Sequence, residues 1–258
     1  MSTLAGVLGF PVGHSRSPAM MNAAFGELGL DWRYLKLPVP AERFEQTVRA
    51  LSGSGYRGAN VTIPHKVSAY NLAGELSDAA RAIGAVNTLS FEEGGPIAGD
   101  NTDAGGLLDA VGEPVSGTAL VMGAGGAARA AAWALAQAGA DVTVWSRTPQ
   151  HAAELAADLG VRHSERPGPS DLLVNATSVG LRPGDSLEGL PLVDARVVVD
   201  LVYGAAPTPV VRWAEERGAC VVDGLEVLVR QGARSLAVWT RDEPPVEAMR
   251  TAAFRSPV

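Results

Sequence analysis

The sequence predicts an α/β protein of two domains, on three observations. Between residues 4 and 63, strand-like apolar runs alternate with segments that carry an apolar helical face. A second alternating series starts near residue 103. Within it a glycine-rich turn, Gly123-Ala124-Gly125-Gly126-Ala127-Ala128, separates an apolar run from an alanine-rich helix. A βαβ alternation implies parallel strands with crossover helices on their faces.

The elements follow in order. Leu4 to Phe10 reads as a buried strand. Ser17-Pro18 opens a helix to Leu28 with Gly29 as stop; Ser17 is suited to cap it and Pro18 to be its first residue, and a helix start with spare donors also holds a carboxylate. Trp32 to Val39 is a second strand. Ala41 to Leu51 is a helix with Phe44, Val48 and Leu51 on one face, and Tyr56 to Ile63 is a third strand. Short helices are expected over 65–73 and 77–83. Ala85–Phe91 and Pro96–Asp100 flank Glu92-Glu93-Gly94-Gly95 as a hairpin. The second series runs helix 103–112, strand Ala119–Met122, helix Ala127–Ala138, strand Asp141–Ser146 and helix Gln150–Leu159. Strands at Asp171–Asn175, Arg196–Leu201 and Ala219–Asp223 follow, with a helix near 208–217. Two last helices, 225–239 and 245–254, are too few for a domain, and one or both are expected to pack back on another element.

Composition narrows the function. The 258 residues are 47% hydrophobic and 19% charged, as in an ordinary globular enzyme. A net charge of −7 with no basic stripe argues against nucleic acid as partner. The N-terminus lacks a basic-then-apolar leader, and the apolar stretch 127–145 carries Arg129, Gln137 and Asp141, too polar to cross a bilayer. A cytoplasmic protein is expected. Four histidines without ligand spacing predict no metal. The single cysteine, Cys220, sits in the run Ala219-Cys220-Val221-Val222 and is expected to be a buried core thiol.

Gly123-x-Gly125-x-x-Ala128 directly follows a strand and opens a helix, which is the context a dinucleotide fingerprint requires. The first glycine permits the turn, and the second lets a pyrophosphate approach the backbone. The small third residue allows close helix–strand packing, and the helix start, with Gly126 and Ala127, supplies amide donors. The series is the Rossmann pattern. Ser146-Arg147-Thr148 stands after the second strand, where an NAD enzyme usually carries a carboxylate. A guanidinium there binds a 2′-phosphate, so NADP is the expected cofactor.

Polar groups cluster at other strand ends. Asn60-Val61-Thr62-Ile63-Pro64-His65-Lys66 closes a strand on an amide, a hydroxyl and an ammonium. Asn87-Thr88 and Asn101-Thr102-Asp103 add more, and Ser15 and Ser17 offer two hydroxyls at a helix start. Such groups line a pocket for a small polyhydroxylated molecule, and with a dinucleotide they imply an oxidoreductase acting on a sugar-like alcohol.

These motifs resemble the shikimate dehydrogenase family. The resemblance is carried by Gly9-x-Pro11-Val12-x-His14-Ser15-x-Ser17-Pro18, Asn60-Val61-Thr62-Ile63-Pro64-x-Lys66, Gly84-Ala85-Val86-Asn87-Thr88, Asn101-Thr102-Asp103, Gly123-Ala124-Gly125-Gly126-Ala127, Asn175-Ala176-Thr177 and Gln231, in order over nearly the whole chain. It implies reversible, NADP-dependent reduction of 3-dehydroshikimate to shikimate in aromatic amino-acid (chorismate) biosynthesis. It also implies an N-terminal substrate domain (1–102), a Rossmann NADP-binding domain (103–224), and C-terminal helices (225–258) that return to the substrate domain. In the family's pattern Ser15 and Ser17 bind the substrate carboxylate. Thr62, Lys66, Asn87, Asp103 and Gln231 surround its ring, with Asn60 and Tyr203 nearby, and Lys66 and Asp103 form the catalytic pair. Asn175 and Thr177 border the cofactor, and Gly224 joins Gly123, Gly125, Gly126, Ala127, Ser146, Arg147 and Thr148 in the cofactor set. Four departures stand out: Met21 for His, Ser146 for Asn, Val227 for Met, and Arg241 for Gly after Trp239-Thr240.

Two other readings stay open at this level: a family relative that oxidises quinate or another cyclic polyol, and a non-catalytic NADP-binding sensor. A monomer or homodimer is expected.

Overall fold

The computed structural model describes residues 2–112, 115–182, 184–204 and 206–255. The ends of the expected domain ranges, Met1 and 256–258, lie outside the described residues. Contacts divide the chain into one unit of Met1–Thr102 with Leu228–Val258 and a second of Asp103–Val227.

The first unit holds a six-stranded sheet in the order β2-β1-β3-β5-β6-β4. Its strands are β1 (Thr3–Gly9), β2 (Trp32–Pro38), β3 (Tyr56–Val61), β4 (Glu75–Leu76), β5 (Thr88–Ser90) and β6 (Ala98–Asp100). The strands β1, β2 and β3 run parallel, and β5 runs antiparallel to both β3 and β6. The expected hairpin is therefore present. The short β4, which pairs with β6, was not anticipated, because two residues carry no readable alternation. Alternate residues of β1 face opposite layers. Ala5 and Val7 pack with α1 (Ser17–Glu27), α9 (Gly224–Thr240) and α10 (Val246–Arg255), whereas Leu8 packs with α2 (Phe44–Ser52) and its neighbours. The segment expected as one helix from Ala41 begins as a 3₁₀ turn, Ala41–Arg43, before α2 buries Phe44 and Val48.

The helix α9 lies close on the first unit's sheet because glycine clears its path. A Cβ on Gly58 of β3 would meet Trp239 Nε1 at 2.3 Å, and that indole donates to the Leu89 carbonyl at 3.1 Å. Likewise a Cβ on Gly232 would meet Met20 of α1 at 2.3 Å. Met21, one of the family departures, is fully buried in the same apolar layer.

The second unit is a fully parallel sheet in the order β12-β11-β10-β7-β8-β9. Its strands are β7 (Thr118–Met122), β8 (Asp141–Trp145), β9 (Arg162–His163), β10 (Leu172–Asn175), β11 (Val197–Asp200) and β12 (Cys220–Val222). Counted from β7, this is the doubly wound order whose strand sequence reverses between the first and fourth strands. Buried on both faces, the strands are continuously apolar: Ala119 and Val121 join one core layer, Leu120 and Met122 the other. The helices are α5 (Thr102–Val111), α6 (Gly126–Gln137), α7 (Pro149–Leu159) and α8 (Pro209–Glu215). In the first unit α3 (Lys66–Leu72) and α4 (Asp78–Ile83) complete the set.

One expectation is overturned. Cys220 is exposed, because β12 is the edge strand with a single neighbour and the first residue of that strand is not covered. Among the described residues no helix is long and apolar enough to cross a membrane, and no group of three or more His, Cys, Asp or Glu could hold a metal ion.

Candidate functional site

In the second unit the glycine turn sits at the switch point between β7 and β10. Gly123 has φ +127°, and a Cβ there would meet the Ala176 carbonyl oxygen at 2.6 Å, so both backbone and space demand glycine. Its N–H donates to Trp145 O at 2.7 Å, and Ala176 N–H donates to Met122 O at 2.8 Å, which ties the ends of β7, β8 and β10 together. Gly125 precedes α6, and a Cβ on it would meet nothing within 4 Å. That open approach beside the first amides of a helix fits a pyrophosphate. Ala128 is fully buried against the sheet, as the small third residue should be. At the end of β8, Ser146 is half-buried and Arg147 and Thr148 are exposed. These residues fit NADP.

On the other side of the switch point, Asn175 fastens two loops. Its Oδ1 accepts from Thr177 N–H at 3.1 Å and Thr177 O–H at 2.7 Å, and its Nδ2 donates to Asp200 at 2.8 Å. Asp200, buried at the end of β11, also accepts from Val202 N–H at 3.0 Å and from the Thr208 hydroxyl. Thr208 in turn caps α8 by accepting from Val211 N–H at 3.1 Å. Burial pushes the Asp200 carboxyl up to about 6, against the pull of its hydrogen bonds and with some help from Asp223. The half-buried Tyr203 lies in the loop that Asp200 holds. Gly224, which starts α9, has no room for a Cβ, since Asp200 O and Val202 O would each lie 2.7 Å away. Asp200 was not singled out in the sequence, although a charged residue ending the run Val197-Val198-Val199 was a visible signal.

In the first unit the expected substrate residues stand on several elements. Ser15 and Ser17 are both buried, and Ser15 Oγ accepts from Ser17 N–H at 3.3 Å, which leaves the Ser15 proton free to donate. Ser17, a residue type suited to a cap, does not cap α1. It is already the first helical residue, and the preceding Arg16 has helical dihedrals (φ −91°, ψ −3°) with no side-chain cap. Arg16 is itself buried and donates to Ala253 O near the end of α10 at 3.1 Å. Beside it, burial and then the Lys36 charge push the His14 imidazole below its ordinary value. Thr62 is half-buried and packs its methyl where a Cβ on Gly9 would fall, 2.4 Å away. Lys66 is half-buried as the first residue of α3. Asp103 is half-buried in the first turn of α5, directly after Thr102.

Asn60, Asn87 and Gln231 meet in one buried network. Tyr34 O–H donates to Asn60 Oδ1 at 2.7 Å, and Asn60 Nδ2 faces Asn87 O at 3.2 Å, Thr88 Oγ1 at 3.1 Å and Ser235 Oγ at 2.8 Å. Asn87 Oδ1 accepts from Thr102 N–H at 2.8 Å, and its Nδ2 donates to Thr102 Oγ1 at 2.9 Å and Gln231 Oε1 at 3.2 Å. Gln231 Nε2 donates to Leu228 O at 2.7 Å. A backbone group thus orients each of the three carboxamides, since a carbonyl can only accept and an N–H only donate. Thr88 and Thr102, expected from their motifs as pocket-lining groups, instead tie this network together. Tyr34 and Ser235 belong to it with nothing local in the sequence to mark them.

Comparison with known proteins agrees with this architecture. Residues 7–89 match the shikimate dehydrogenase substrate binding domain, and residues 224–254 match the shikimate 5′-dehydrogenase C-terminal domain. The NADP(+) shikimate dehydrogenase of Methanothermobacter thermautotrophicus is 40% identical over 276 residues, covering 98% of this chain and 96% of that protein. The shikimate 5-dehydrogenase of Thermus thermophilus, solved in complex with NADP(H) and shikimate, is 40% identical with a TM-score of 0.88, covering 98% and 99% of the two chains. A 5-ketofructose reductase of a Gluconobacter species shares the fold at 30% identity, with a TM-score of 0.84 and 98% of each chain covered. This chain belongs to the shikimate dehydrogenase family.

Proposed function

We propose that the chain catalyses the reversible, NADP-dependent reduction of 3-dehydroshikimate to shikimate, a step of aromatic amino-acid biosynthesis. The observation that carries this reading is the full-length likeness, at 40% identity, to the Thermus enzyme that holds NADP(H) and shikimate together. When bound, NADPH supplies the hydride that reduces the substrate carbonyl. The protein's own groups do the rest. Ser15 and Ser17 donate to the substrate carboxylate, and Thr62, Asn87 and Gln231 recognise ring hydroxyls, with Asn60 and Tyr203 beside them. Lys66 and Asp103 act as a pair at the carbonyl oxygen: a cation or proton donor there offsets the negative charge that builds, and a proton from the pair completes the alcohol. Gly123, Gly125, Gly126 and Ala127 would hold the cofactor's pyrophosphate, Asn175, Thr177 and Gly224 would border the cofactor, and Ser146, Arg147 and Thr148 would take its 2′-phosphate end.

We take residues 1–102 with 225–258 as the substrate domain and 103–224 as the cofactor domain. The protein is read as a cytoplasmic monomer or homodimer. A second reading, an enzyme for another polyol, is favoured by the 5-ketofructose reductase of the same fold. Initial rates with shikimate and quinate, each with NADP and NAD, separate the two. Turnover of shikimate with NADP as the preferred pair supports the first, and preference for another polyol overturns it.

A further inference from the structure

Ser235 lies one helical turn beyond Gln231 on α9 and is fully buried. Its hydroxyl is within hydrogen-bonding distance of four groups: Gln231 O at 3.0 Å, Asn60 Nδ2 at 2.8 Å, Thr88 Oγ1 at 2.8 Å and Thr102 Oγ1 at 3.0 Å. A serine hydroxyl has one proton and two lone pairs, so the roles can be assigned. The Gln231 carbonyl can only accept and takes the serine proton. One lone pair receives an Asn60 amide hydrogen, because the Asn87 carbonyl already turns that NH₂ inward. The second receives the proton of one threonine, and the other threonine donates to Asn87 Oδ1, which lies 3.0 Å from Thr88 and 3.1 Å from Thr102.

We propose that Ser235 is a positioning residue for substrate recognition: it braces the threonines and the turn of α9 that hold in place the carboxamides of Asn87 and Gln231, whose orientation backbone groups set. It does so from both ends. Through the threonines it supports the position of Asn87, and through the Gln231 carbonyl it anchors the turn of α9 that carries the glutamine. Asn60, both of whose amide hydrogens are spent on internal acceptors, belongs to the same frame. An alanine at 235 would remove the shortest partner of the Asn60 amide and of Thr88, and the threonines and the two carboxamides would shift as these groups turned to longer alternatives. Recognition would suffer because a polar group discriminates only when its donor and acceptor are held in place before the substrate arrives. The inference rests on the reading that Asn87 and Gln231 contact shikimate.

The test uses Ser235→Ala and the near-isosteric Thr88→Val, purified and checked by thermal melting. The KM for shikimate should rise about five- to tenfold in each, the worth of roughly one buried hydrogen bond, while the KM for NADP stays at the parent value. Partial unfolding alone would lower kcat through lost active enzyme and leave KM unmoved, so the split separates positioning from structure. A crystal structure of Ser235→Ala should show the Asn87 or Gln231 carboxamide displaced from its place in the parent. A shikimate KM unchanged in both folded variants, or carboxamides undisplaced in that crystal structure, overturns the inference. A parent enzyme inactive on shikimate would instead overturn the substrate reading, and the crystal structure would still decide the positioning role.

Discussion

The Asp200 carboxylate accepts the Asn175 side-chain amide at 2.8 Å and so joins the ends of two adjacent parallel strands, β10 and β11. No cation is among the causes of its shift; desolvation dominates and raises the carboxyl from 3.8 to about 6. A carboxyl raised on folding stabilises the fold fully below its unfolded value, and that contribution is lost as pH rises through about 6. Its size is about 3 kcal/mol, from the difference between the two values. Asp200→Asn mimics the protonated form and lacks the titration. The unfolding free energy of the parent minus that of the variant should therefore fall by about 3 kcal/mol from about pH 3.5 to about pH 7.5. Denaturant melts of both proteins across that range measure it, and a constant difference would show that Asp200 titrates normally.

Cofactor choice should rest on Arg147, exposed after β8. Arg147→Asp should raise the KM for NADP about ten- to a hundredfold, the loss of one charge-assisted contact of roughly 1.5–3 kcal/mol. Turnover should barely change, because the 2′-phosphate is remote from the transferred hydride. An unchanged NADP KM would remove Arg147 from the cofactor set.

Lys66 and Asp103 should behave as a unit. Lys66→Ala and Asp103→Ala should each lower kcat roughly a hundredfold or more, the usual range for acid–base groups, with NADP binding intact. The double variant should be little worse than the poorer single one. Near-normal turnover by a folded Lys66→Ala protein would refute the proposed catalytic pair.

Ser15 and Ser17 should contribute to substrate binding alone. Ser17 occupies the first helical position and caps nothing, so Ser17→Ala should leave the melting temperature close to the parent's while raising the shikimate KM. Had it been the cap, the loss would have reached up to about 2 kcal/mol. Kinetics and melts on both serine variants decide, and normal kinetics in both would remove the hydroxyls from the carboxylate site.

Arg241 stands where the family has glycine, and it follows α9 with φ +63°. Left-handed backbone costs a non-glycine residue roughly 1–2 kcal/mol, part of which glycine's greater freedom when unfolded would offset. Arg241→Gly should stabilise the protein by about 0.5–1 kcal/mol, read as a higher melting temperature with unchanged kinetics. A destabilised variant would mean that the arginine side chain compensates the backbone.

What was legible in the sequence was local. Gly123 announced itself because a tight turn, a following helix start and a preceding apolar strand all lie within a dozen residues, and each leaves its own residue type. The alternation of Ala119, Leu120, Val121 and Met122 between two core layers is likewise written in a run with no polar break. The tertiary structure decided what depends on partners far away in the chain. Asn60 and Ser235 bond across 175 positions, and neither residue's neighbours hint at the other. Cys220 reads as core, but its burial depended on whether β12 had one neighbouring strand or two, which only sheet order determines. Ser17 has the right side chain for a cap, but capping needs a non-helical backbone at that residue, and the chain is already helical one position earlier. Residue type and spacing set what each group can do, and the backbone's path through both sheets set which group it does it with.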